Sequence, residues 1–256
     1  MLVYKNIHTT EDSAAHELSM DSIYESIRSG KIELEGTEYQ FGTRCSLIRK
    51  LQSSNASTDE DKKKIKEGTS AGKKTLPVLQ SCNSRVLSRV TSFSGYLQID
   101  LDHVTDAEKT KKELFALPFV ESAFISPSGT GVKGFARATP LEGGDSVESY
   151  VKSLHRSLFK KLEESGFNQD KAISSNPAQA CYISYDPDLL VKESCELIEE
   201  DDTLEELTLG EEPSMNLSEV SEETISRIKT KVINKEIQKV LCWKDGAKHK
   251  KILSLS

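Results

Sequence analysis

Between residues 95 and 190, the spacing of the apolar residues changes repeatedly between the two-residue period of a strand and the 3.6-residue period of a helix. Residues 95–102 (GYLQIDLD) alternate between apolar and polar side chains, which predicts a strand. Residues 145–165 have apolar side chains at helical spacing, and Gly166 follows where a C-cap glycine is common. A stretch with both patterns must pack helices on a sheet.

Four further segments complete the order of elements. They are a helix at 105–117, strands at 119–126 and 132–138, and a strand at 179–186. Thr105 and Glu108 have capping-box spacing at the start of the first helix, and Pro187 ends the last strand. The order strand, helix, strand, strand, helix, strand predicts an α+β fold with a ferredoxin-like β-α-β-β-α-β sheet and both helices on one face.

The sequence before this region is of two kinds. Residues 1–43 form a small mixed unit by pattern. Residues 52–75 are polar and nearly free of large apolar side chains, so we expect a mobile surface loop. Within it, residues 68–75 (GTSAGKKT) imitate a P-loop, but the glycine spacing is too short and Lys74 stands where Ser or Thr should hold magnesium.

These segments predict the domain boundaries. We expect one folded domain over residues 1–192, an acidic linker over 193–215, and a helical C-terminal segment over 216–256 that is cut short. The composition, with 36% hydrophobic and 29% charged residues, gives the folded domain enough apolar surface for a core.

The sequence also predicts the compartment. No apolar run approaches the roughly 18 residues that span a bilayer, so we expect no membrane contact. The N-terminus has neither the basic start nor the apolar stretch of a signal peptide, which favours a cytoplasmic location. The five cysteines are scattered, and this disfavours a disulfide framework or a zinc site.

Charge is strongly segregated along the chain. Residues 44–90 contain 11 basic and 4 acidic residues, residues 193–223 contain 13 acids and no Lys or Arg, and residues 224–256 contain 9 bases and 2 acids. The net charge of -7 therefore comes from one acidic stretch. Without it the chain is basic, which keeps nucleic acid as a candidate partner.

Two acids mark the first predicted strand as a candidate metal site. Asp100 and Asp102 leave the same face of the strand, with α-carbons roughly 6–7 Å apart. Such a pair can reach one or two Mg²⁺ or Mn²⁺ ions, which prefer oxygen ligands. The alternative is that both are solvated acids at an exposed strand end.

The predicted turn at residues 126–133 (SPSGTGVK) is a candidate phosphate site. Gly129 and Gly131 allow the backbone to approach a ligand closely, and Ser126, Ser128, Thr130 and Lys133 supply donors suited to phosphate. The alternative is an ordinary glycine-containing hairpin with a solvated lysine. Further along the chain, Asp186 ends the last predicted strand and is a candidate third carboxylate, unless it only begins an Asp-Pro turn.

In order, these motifs read IDLDH, SPSGTGVKG and YISYDPDL. This series resembles archaeo-eukaryotic-type primase (prim-pol) domains of bacterial mobile elements and phages, of the VirE N-terminal type. Residues 27–31 (IRSGK) and 73–77 (KKTLP) also resemble the basic segment of that family and its Leu-Pro before the first acidic motif. Two positions depart from it, since Gln179 stands where we expect an arginine, and Lys192 lies near an expected asparagine.

The resemblance implies a prim-pol fold, in which the ferredoxin-like (RRM-like) catalytic half joins an N-terminal α/β half. It implies that Asp100, Asp102 and Asp186 are catalytic and hold Mg²⁺ or Mn²⁺. It also implies that the nucleoside triphosphate binds at the residues of the turn: Ser126, Ser128, Gly129, Gly131 and Lys133.

The expected function is that of a DNA primase or primase-polymerase, a nucleotidyltransferase that works on a single-stranded DNA template, with a replicative helicase as a further expected partner. Two alternatives stay open. One is a non-catalytic single-stranded-DNA-binding replication module. The other is a metal-dependent nuclease or phosphoesterase that uses the same carboxylates with water as the nucleophile.

Overall fold

Strands and helices alternate along the chain in a computed structural model that describes residues 1–9, 11–142, 147–169 and 178–200. The strands are β1 (Leu2–Tyr4), β2 (His16–Glu17), β3 (Lys31–Leu34), β4 (Thr37–Gln40), β5 (Val78–Gln80), β6 (Ser92–Phe93), β7 (Tyr96–Leu101), β8 (Val120–Ile125), β9 (Val132–Ala138), β10 (Leu141–Glu142), β11 (Cys181–Tyr182), β12 (Leu190–Val191) and β13 (Leu197–Ile198). The helices are α1 (Met20–Ser29), α2 (Gly42–Gln52), α3 (Asp59–Lys73), α4 (Ala107–Ala116) and α5 (Val147–Glu164). None of these helices has the length and apolar character needed to cross a membrane.

The largest sheet has β9 at its centre. It pairs antiparallel with β7 on one side and with β8 on the other. The outer edge of β8 pairs with β12, and β13 runs parallel to the end of β9. The predicted order of strand, helix, strand, strand and helix is therefore present from β7 to α5, and the fold is α+β as expected.

One face of this sheet packs on α4 and α5. Leu97 and Ile99 of β7 share a core with Leu114 of α4 and with the apolar stripe of α5, which includes Leu154 and Leu158. The stripe has the helical period that the sequence shows. The helix α4 begins one residue later than the sequence predicts, because the side chain of Asp106, and not that of Thr105, caps it by accepting from the N–H of Lys109.

The opposite face of the sheet packs on the N-terminal elements. Phe124 and Phe135 share a second core with α1, the β3–β4 hairpin and α2, for example through Ile23 and Ile48. The sheet is therefore covered on both faces. A separate four-stranded sheet has the order β11-β5-β1-β2.

The fourth strand of the ferredoxin-like prediction is wrong in position. The strand predicted at residues 179–186 is only β11, which pairs with β5 and so belongs to the N-terminal sheet. The outer place beside β8 is taken instead by β12, after the Asp186-Pro187 turn. The sequence pattern gave the strand but contained no information on which edge it would join.

The mobile loop predicted at residues 52–75 is also wrong, since most of it is α3. Thr58 and Asp61 form a capping box, and charged pairs such as Glu60–Lys64 (2.7 Å) lie along the helix. A β-carbon at Gly68 would lie 2.7 Å from a methyl carbon of Leu51, so the glycine permits α3 to lie close against α2. The helix is held by its cap and this contact, not by an apolar stripe.

The acidic linker is expected to begin at residue 193, but the chain is still part of the folded unit there. Leu197 and Ile198 form β13, and Ile198 is buried in the core beneath α5. The chain divides into two units, Met1–Asp202 and Thr203–Ser256, so the boundary falls after residue 202 and not after 192. The helical segment predicted at 216–256 lies outside the described residues.

The side chain of His155 in α5 gives the fold a predicted acid sensitivity. His155 is buried, its Nδ1 atom has no partner among the described residues, and burial lowers the pKa of the imidazole to about 4. The unfolded chain, with an ordinary histidine pKa near 6.5, binds more protons between these two values, so stability is present above pH ~6.5 and decreases as the pH falls.

We therefore expect His155 to remove up to about 3 kcal/mol of the free energy of unfolding between pH ~6.5 and ~4. The variant His155→Gln should show a smaller loss over that range in urea titrations followed by circular dichroism. The exposed His103, changed to Gln, is the control and should behave as wild type. Equal pH dependence in wild type and His155→Gln would refute the assignment.

Candidate functional site

Asp100 lies near the end of β7 and faces Lys133 of β9, because the register of the two strands pairs these residues. The Lys133 ammonium donates to Oδ2 of Asp100, and the two side chains are 8% and 20% exposed, respectively. The other carboxylate oxygen, Oδ1, is buried and has no hydrogen-bond partner in the described part of the chain. A buried oxygen without a partner costs free energy, so Asp100 has one unused position for a cation or a donor.

The charge of Lys133 is stabilised in spite of its burial. Burial disfavours the ammonium, whereas Cys181, Asp100 and Asp102 favour it, and the pKa of Lys133 lies above its usual value as a result. Burial also raises the pKa of the Cys181 thiol to about 11, so this thiol is neutral at neutral pH. Asp100 is therefore the partner that keeps Lys133 charged.

Asp102 lies just beyond β7, is exposed, and adjoins the turn between β8 and β9. The N–H of Val104 donates to the carbonyl oxygen of Thr130 (3.0 Å), which fixes the chain after β7 against that turn. A β-carbon at Gly131 would lie 2.6 Å from the carbonyl oxygen of Leu101 and 3.4 Å from a carboxylate oxygen of Asp102. Only glycine permits this approach.

The turn itself, residues 126–131, is called the glycine turn below. The N–H of Ser126 donates to the carbonyl oxygen of Gly131 (2.9 Å), and the N–H of Gly129 donates to the carbonyl oxygen of Ser126 (3.0 Å). Gly129 has a φ of 77°, in the left-handed region that favours glycine. These bonds give the turn one defined shape.

The free donors of the glycine turn are backbone N–H groups. The hydroxyls of Ser126 and Ser128 are buried and lie 3.2 Å apart, and the Thr130 hydroxyl lies 3.3 Å from that of Ser128. The serine hydroxyls predicted to bind phosphate are thus engaged with one another. The N–H groups of Ser128, Thr130 and Gly131 have no acceptor within the described ranges. Successive free N–H groups in a turn form an anion-binding concavity.

Arg49 of α2 holds the glycine turn from the N-terminal side. Its Nη2 atom donates to the carbonyl oxygens of Tyr185 (2.7 Å) and Ser126 (3.2 Å). A β-carbon at Gly129 would lie 3.2 Å from Cγ of Arg49, so the glycine makes room for the arginine. Nothing in the local sequence marks Arg49 as a site residue, because a contact across 77 residues of chain leaves no local signal.

Lys73, the last residue of α3, is a second basic side chain whose charge interacts with the carboxylates. Burial and the charge of Lys133 lower the pKa of Lys73, while Asp102 and Asp100 oppose the shift. This mutual influence places Lys73 within electrostatic range of all three side chains. The sequence analysis noted Lys73 in the basic segment before the first motif but gave it no role in the site.

The structure does not bring Asp186 to Asp100 and Asp102. Its Oδ2 atom accepts from the ammonium of Lys111 (3.0 Å) and the N–H of Ile125 (2.8 Å), so it lies against the outer edge of β8. With strands about 4.8 Å apart, β8 is roughly 10 Å from β7 across β9, and the outer edge of β8 is farther still. The Oδ1 atom accepts from the N–H of Asp188 (3.0 Å), which confirms the alternative that Asp186 begins an Asp-Pro turn.

Gln179 and Lys192, the two departures from the primase pattern, make contacts away from the candidate site. Gln179 is exposed, and its carbonyl oxygen accepts from Nε2 of Gln98 (3.0 Å). Lys192 donates to the carbonyl oxygen of Leu117 (2.6 Å), the C-cap residue of α4. No described contact links either side chain to Asp100 or the glycine turn.

The residues present fit a divalent cation that is only partly held by protein. Among the described residues, no group of three or more His, Cys, Asp or Glu side chains is arranged to hold a metal ion. Asp100 has one unused buried oxygen, and Asp102 is an exposed carboxylate two residues later. Mg²⁺ is commonly bound by one or two carboxylates together with water and substrate phosphates, and this donor set matches that mode.

Comparison with known proteins gives one result. The model of a family described as BT4734-like, N-terminal domain, matches residues 73–190, a little under half of the chain. No curated protein and no solved structure gives a significant match. The matched range contains Lys73, the two carboxylates, the glycine turn and Lys133, whereas Arg49 lies outside it.

The ion pair of Asp186 and Lys111 is predicted to stabilise the fold. The side chains of Lys111 and Asp186 are 1% and 5% exposed, and Lys111 also contacts Glu108 (3.0 Å). Breaking a buried pair leaves one charge without compensation, so Lys111→Met and Asp186→Asn should each lower the free energy of unfolding by about 3–5 kcal/mol. Urea denaturation followed by circular dichroism measures this.

The exposed Lys109, changed to Met, is the matched control and should cost less than about 1 kcal/mol. The double variant Lys111→Met/Asp186→Asn should lose less than the sum of the single variants, because the two residues act as a pair. An Asp186→Asn protein as stable as wild type would contradict a structural role for this pair.

Proposed function

We propose that the protein is a template-directed nucleotidyltransferase of the primase-polymerase type, which joins nucleotides on single-stranded DNA. The observation that carries the proposal is the position of Asp100 and Asp102 beside the glycine turn with its free N–H groups. Nucleotidyl transfer needs carboxylates for divalent cations next to donors for phosphate oxygens. The site offers both at one end of the sheet.

In this proposal, Oδ1 of Asp100 and the carboxylate of Asp102 hold Mg²⁺ or Mn²⁺. The bound cation supplies positive charge to the phosphate oxygens and to the attacking hydroxyl. The N–H groups of the glycine turn bind phosphate oxygens, and Arg49 keeps the turn in place from α2. We leave Asp186 out of the metal ligands because its oxygens are engaged elsewhere.

The arrangement of the two halves supports the finer fold assignment, a prim-pol fold. Elements β7 to α5 follow the expected order of the catalytic half, and the N-terminal elements cover the sheet face on which Lys133 and Phe135 lie. The basic side chains Arg49 and Lys73 come from that N-terminal half to the carboxylates and the turn. A helicase partner stays a prediction of the sequence resemblance.

Single-stranded DNA would lie on the basic surface around residues 44–90, which carries 11 basic and 4 acidic residues. Contacts of this kind neutralise phosphates and release counterions, so the affinity should decrease steeply with salt. The same surface would serve a protein that only binds DNA.

A non-catalytic single-strand-binding module is the second candidate. Two observations favour it: Lys133 occupies one oxygen of Asp100, and Asp186 does not join the other carboxylates. In that case the glycine turn would bind a backbone phosphate of the strand. Activity measurements on carboxylate variants separate the two candidates.

We expect Asp100→Asn and Asp102→Asn each to reduce nucleotide incorporation at least about 100-fold, because loss of a metal ligand removes several kcal/mol of transition-state stabilisation. The affinity for single-stranded DNA should stay within about twofold of wild type. Primer synthesis on a single-stranded template with labelled nucleotides, with Mg²⁺ and with Mn²⁺, measures the first effect, and fluorescence anisotropy measures the second.

The matched control is Asp106→Asn, because asparagine keeps the N-cap of α4 and the residue lies outside the site. Wild-type protein that binds DNA but incorporates no nucleotide with either metal would support the binding module. Full activity in Asp100→Asn and Asp102→Asn would refute the proposed site.

Lys133→Met should weaken nucleotide binding more than template binding. The variant removes the positive charge that balances Asp100, so the site becomes more negative and repels the triphosphate. We expect the apparent nucleotide KM to increase about tenfold, which is about 1.4 kcal/mol. Steady-state kinetics over a range of nucleotide concentrations measures it.

The exposed Lys112, changed to Met, is the control for loss of one positive charge. Lys133→Arg retains the charge and should recover part of the nucleotide affinity. An unchanged KM together with weaker DNA binding would instead assign Lys133 to the DNA-binding surface.

A further inference from the structure

A cavity of about 390 Å³ lies among the N-terminal elements, between the loop after β1, strand β4 and the facing ends of α2 and α3. Its lining includes Lys5, His8, Tyr39, Arg44, Lys74 and Thr75. Small-ligand sites have volumes of roughly 300–1,000 Å³, so this cavity is large enough for one nucleotide and too small for a longer stretch of strand.

The walls of this cavity carry positive charge that no acid balances. No Asp or Glu is among its lining residues, and Lys5, Arg44 and Lys74 are in no ion pair among the described residues. By contrast, Lys62, Lys63 and Lys64 of α3 all pair with acids of the same helix. Three uncompensated cations around one cavity favour an anionic ligand.

Local contacts shape the cavity for such a ligand. Nη1 of Arg44 donates to the carbonyl oxygen of Thr75 (2.7 Å), which fixes the guanidinium and leaves its other N–H groups without a partner in the described ranges. The helix α2 begins at this wall, with no side-chain cap from Phe41 and no acid in its first turn. The positive end of its dipole therefore adds to the same field.

The cavity also contains an aromatic surface. The ring of Tyr39 is half-buried in the wall, and the ammonium of Lys5 lies 5.0 Å from its centroid. An aromatic ring beside cations is the pairing that binds a nucleotide, since the ring stacks on the base and the cations bind the phosphate.

The cavity is distinct from the carboxylate site, although the two are neighbours. The charge of Lys73 interacts with Asp100 and Asp102, whereas the next residue, Lys74, lines the cavity. Consecutive residues at a helix end point about 100° apart, so the end of α3 separates the two sites. Lys5, Tyr39 and Arg44 also lie outside the range that matches the known family.

We propose that this cavity binds the terminal phosphate monoester of a nucleotide, either a free mononucleotide or the 5′-phosphorylated end of a strand. A monoester carries close to two negative charges at neutral pH, whereas the phosphodiester inside a strand carries one, and the three cations and the helix end suit the former. The base lies against Tyr39. The inference does not depend on nucleotidyl transfer, because a binding module would use the cavity in the same way.

The test compares two short DNA strands of identical sequence, one with a 5′-phosphate and one with a 5′-hydroxyl, in fluorescence anisotropy with the full chain. A 3′-linked dye leaves the 5′-end free, and EDTA at pH 7.5 and fixed salt removes metal-dependent binding at Asp100 and Asp102. We expect wild type to prefer the phosphorylated strand at least about fivefold, and Lys74→Gln and Arg44→Gln each to lose most of that preference.

Lys109→Gln, an exposed lysine of α4 outside both the cavity and the basic segment 44–90, is the matched control and should keep the preference. Tyr39→Ala should weaken binding of the phosphorylated strand. Calorimetry with a nucleoside 5′-monophosphate distinguishes the sources: binding of the mononucleotide with no preference between the strands assigns the cavity to free nucleotides, and a strand preference assigns it to strand ends.

Equal binding of the two strands together with no binding of the mononucleotide would overturn the proposal. A preference that Lys74→Gln and Arg44→Gln leave intact would also overturn it, because the phosphate would then bind elsewhere. Thermal unfolding of each variant shows whether the fold is retained. None of these outcomes depends on nucleotide incorporation, so failure here is separate from failure of the proposed activity.

Discussion

The central strand β9 is buried on both faces, and this constrains everything built on it. Its side chains alternate between the core beneath α4 and α5 and the core beneath the N-terminal elements, and every residue except Arg137 is buried. A lysine in such a strand requires a partner, because an unpaired buried ammonium is costly. Lys133 finds that partner in Asp100, directly across the ladder. The ion pair thus determines which end of the sheet carries the polar site.

The N-terminal elements complete this end of the sheet from the other side. Arg49 extends from α2 to the glycine turn, and Lys73 approaches the carboxylates from the end of α3. Both positions depend on close packing of the two helices, where a β-carbon at Gly72 would lie 2.8 Å from a side-chain carbon of Ile48. Glycines that resemble a P-loop by sequence therefore act as helix-packing residues that bring a lysine to the site.

The sequence predicts those parts of the structure that depend on local pattern. Strands β7, β8 and β9 and helix α5 follow apolar periods that can be read residue by residue, and the closeness of Asp102 to the glycine turn follows from adjacent strand ends. Prediction from the sequence fails where a contact between residues far apart in the chain determines the structure. The helix α3 has no apolar stripe and depends on its capping box and its contact with α2, whereas Arg49 and Lys111 act across 77 and 75 residues, respectively.

Asp186 is a residue for which a local motif predicts a role that a long-range contact prevents. Its motif is local and specific, and the sequence gives no sign of the buried Lys111 that draws its carboxylate to the outer edge of β8. The strand order then decides the outcome, because β9 separates that edge from β7. A carboxylate predicted for catalysis has the contacts of a structural one.

The charges around Asp100 indicate how such a site would select its ligand. Two carboxylates, Asp100 and Asp102, face the ammonium groups of Lys133 and Lys73, and Arg49 adds one positive charge at the glycine turn, so charges of both signs lie close together here. Opposite charges that lie close together largely cancel at long range, so the site attracts a free cation or a free anion only weakly. It does offer an unused oxygen of Asp100 at the end of the sheet where the glycine turn has three N–H groups without an acceptor among the described residues, and this suits a ligand that brings a cation and an anion together. A metal-bound triphosphate has that character, whereas the cavity at Lys5, Arg44 and Lys74, with its uncompensated positive charge, suits an anion alone.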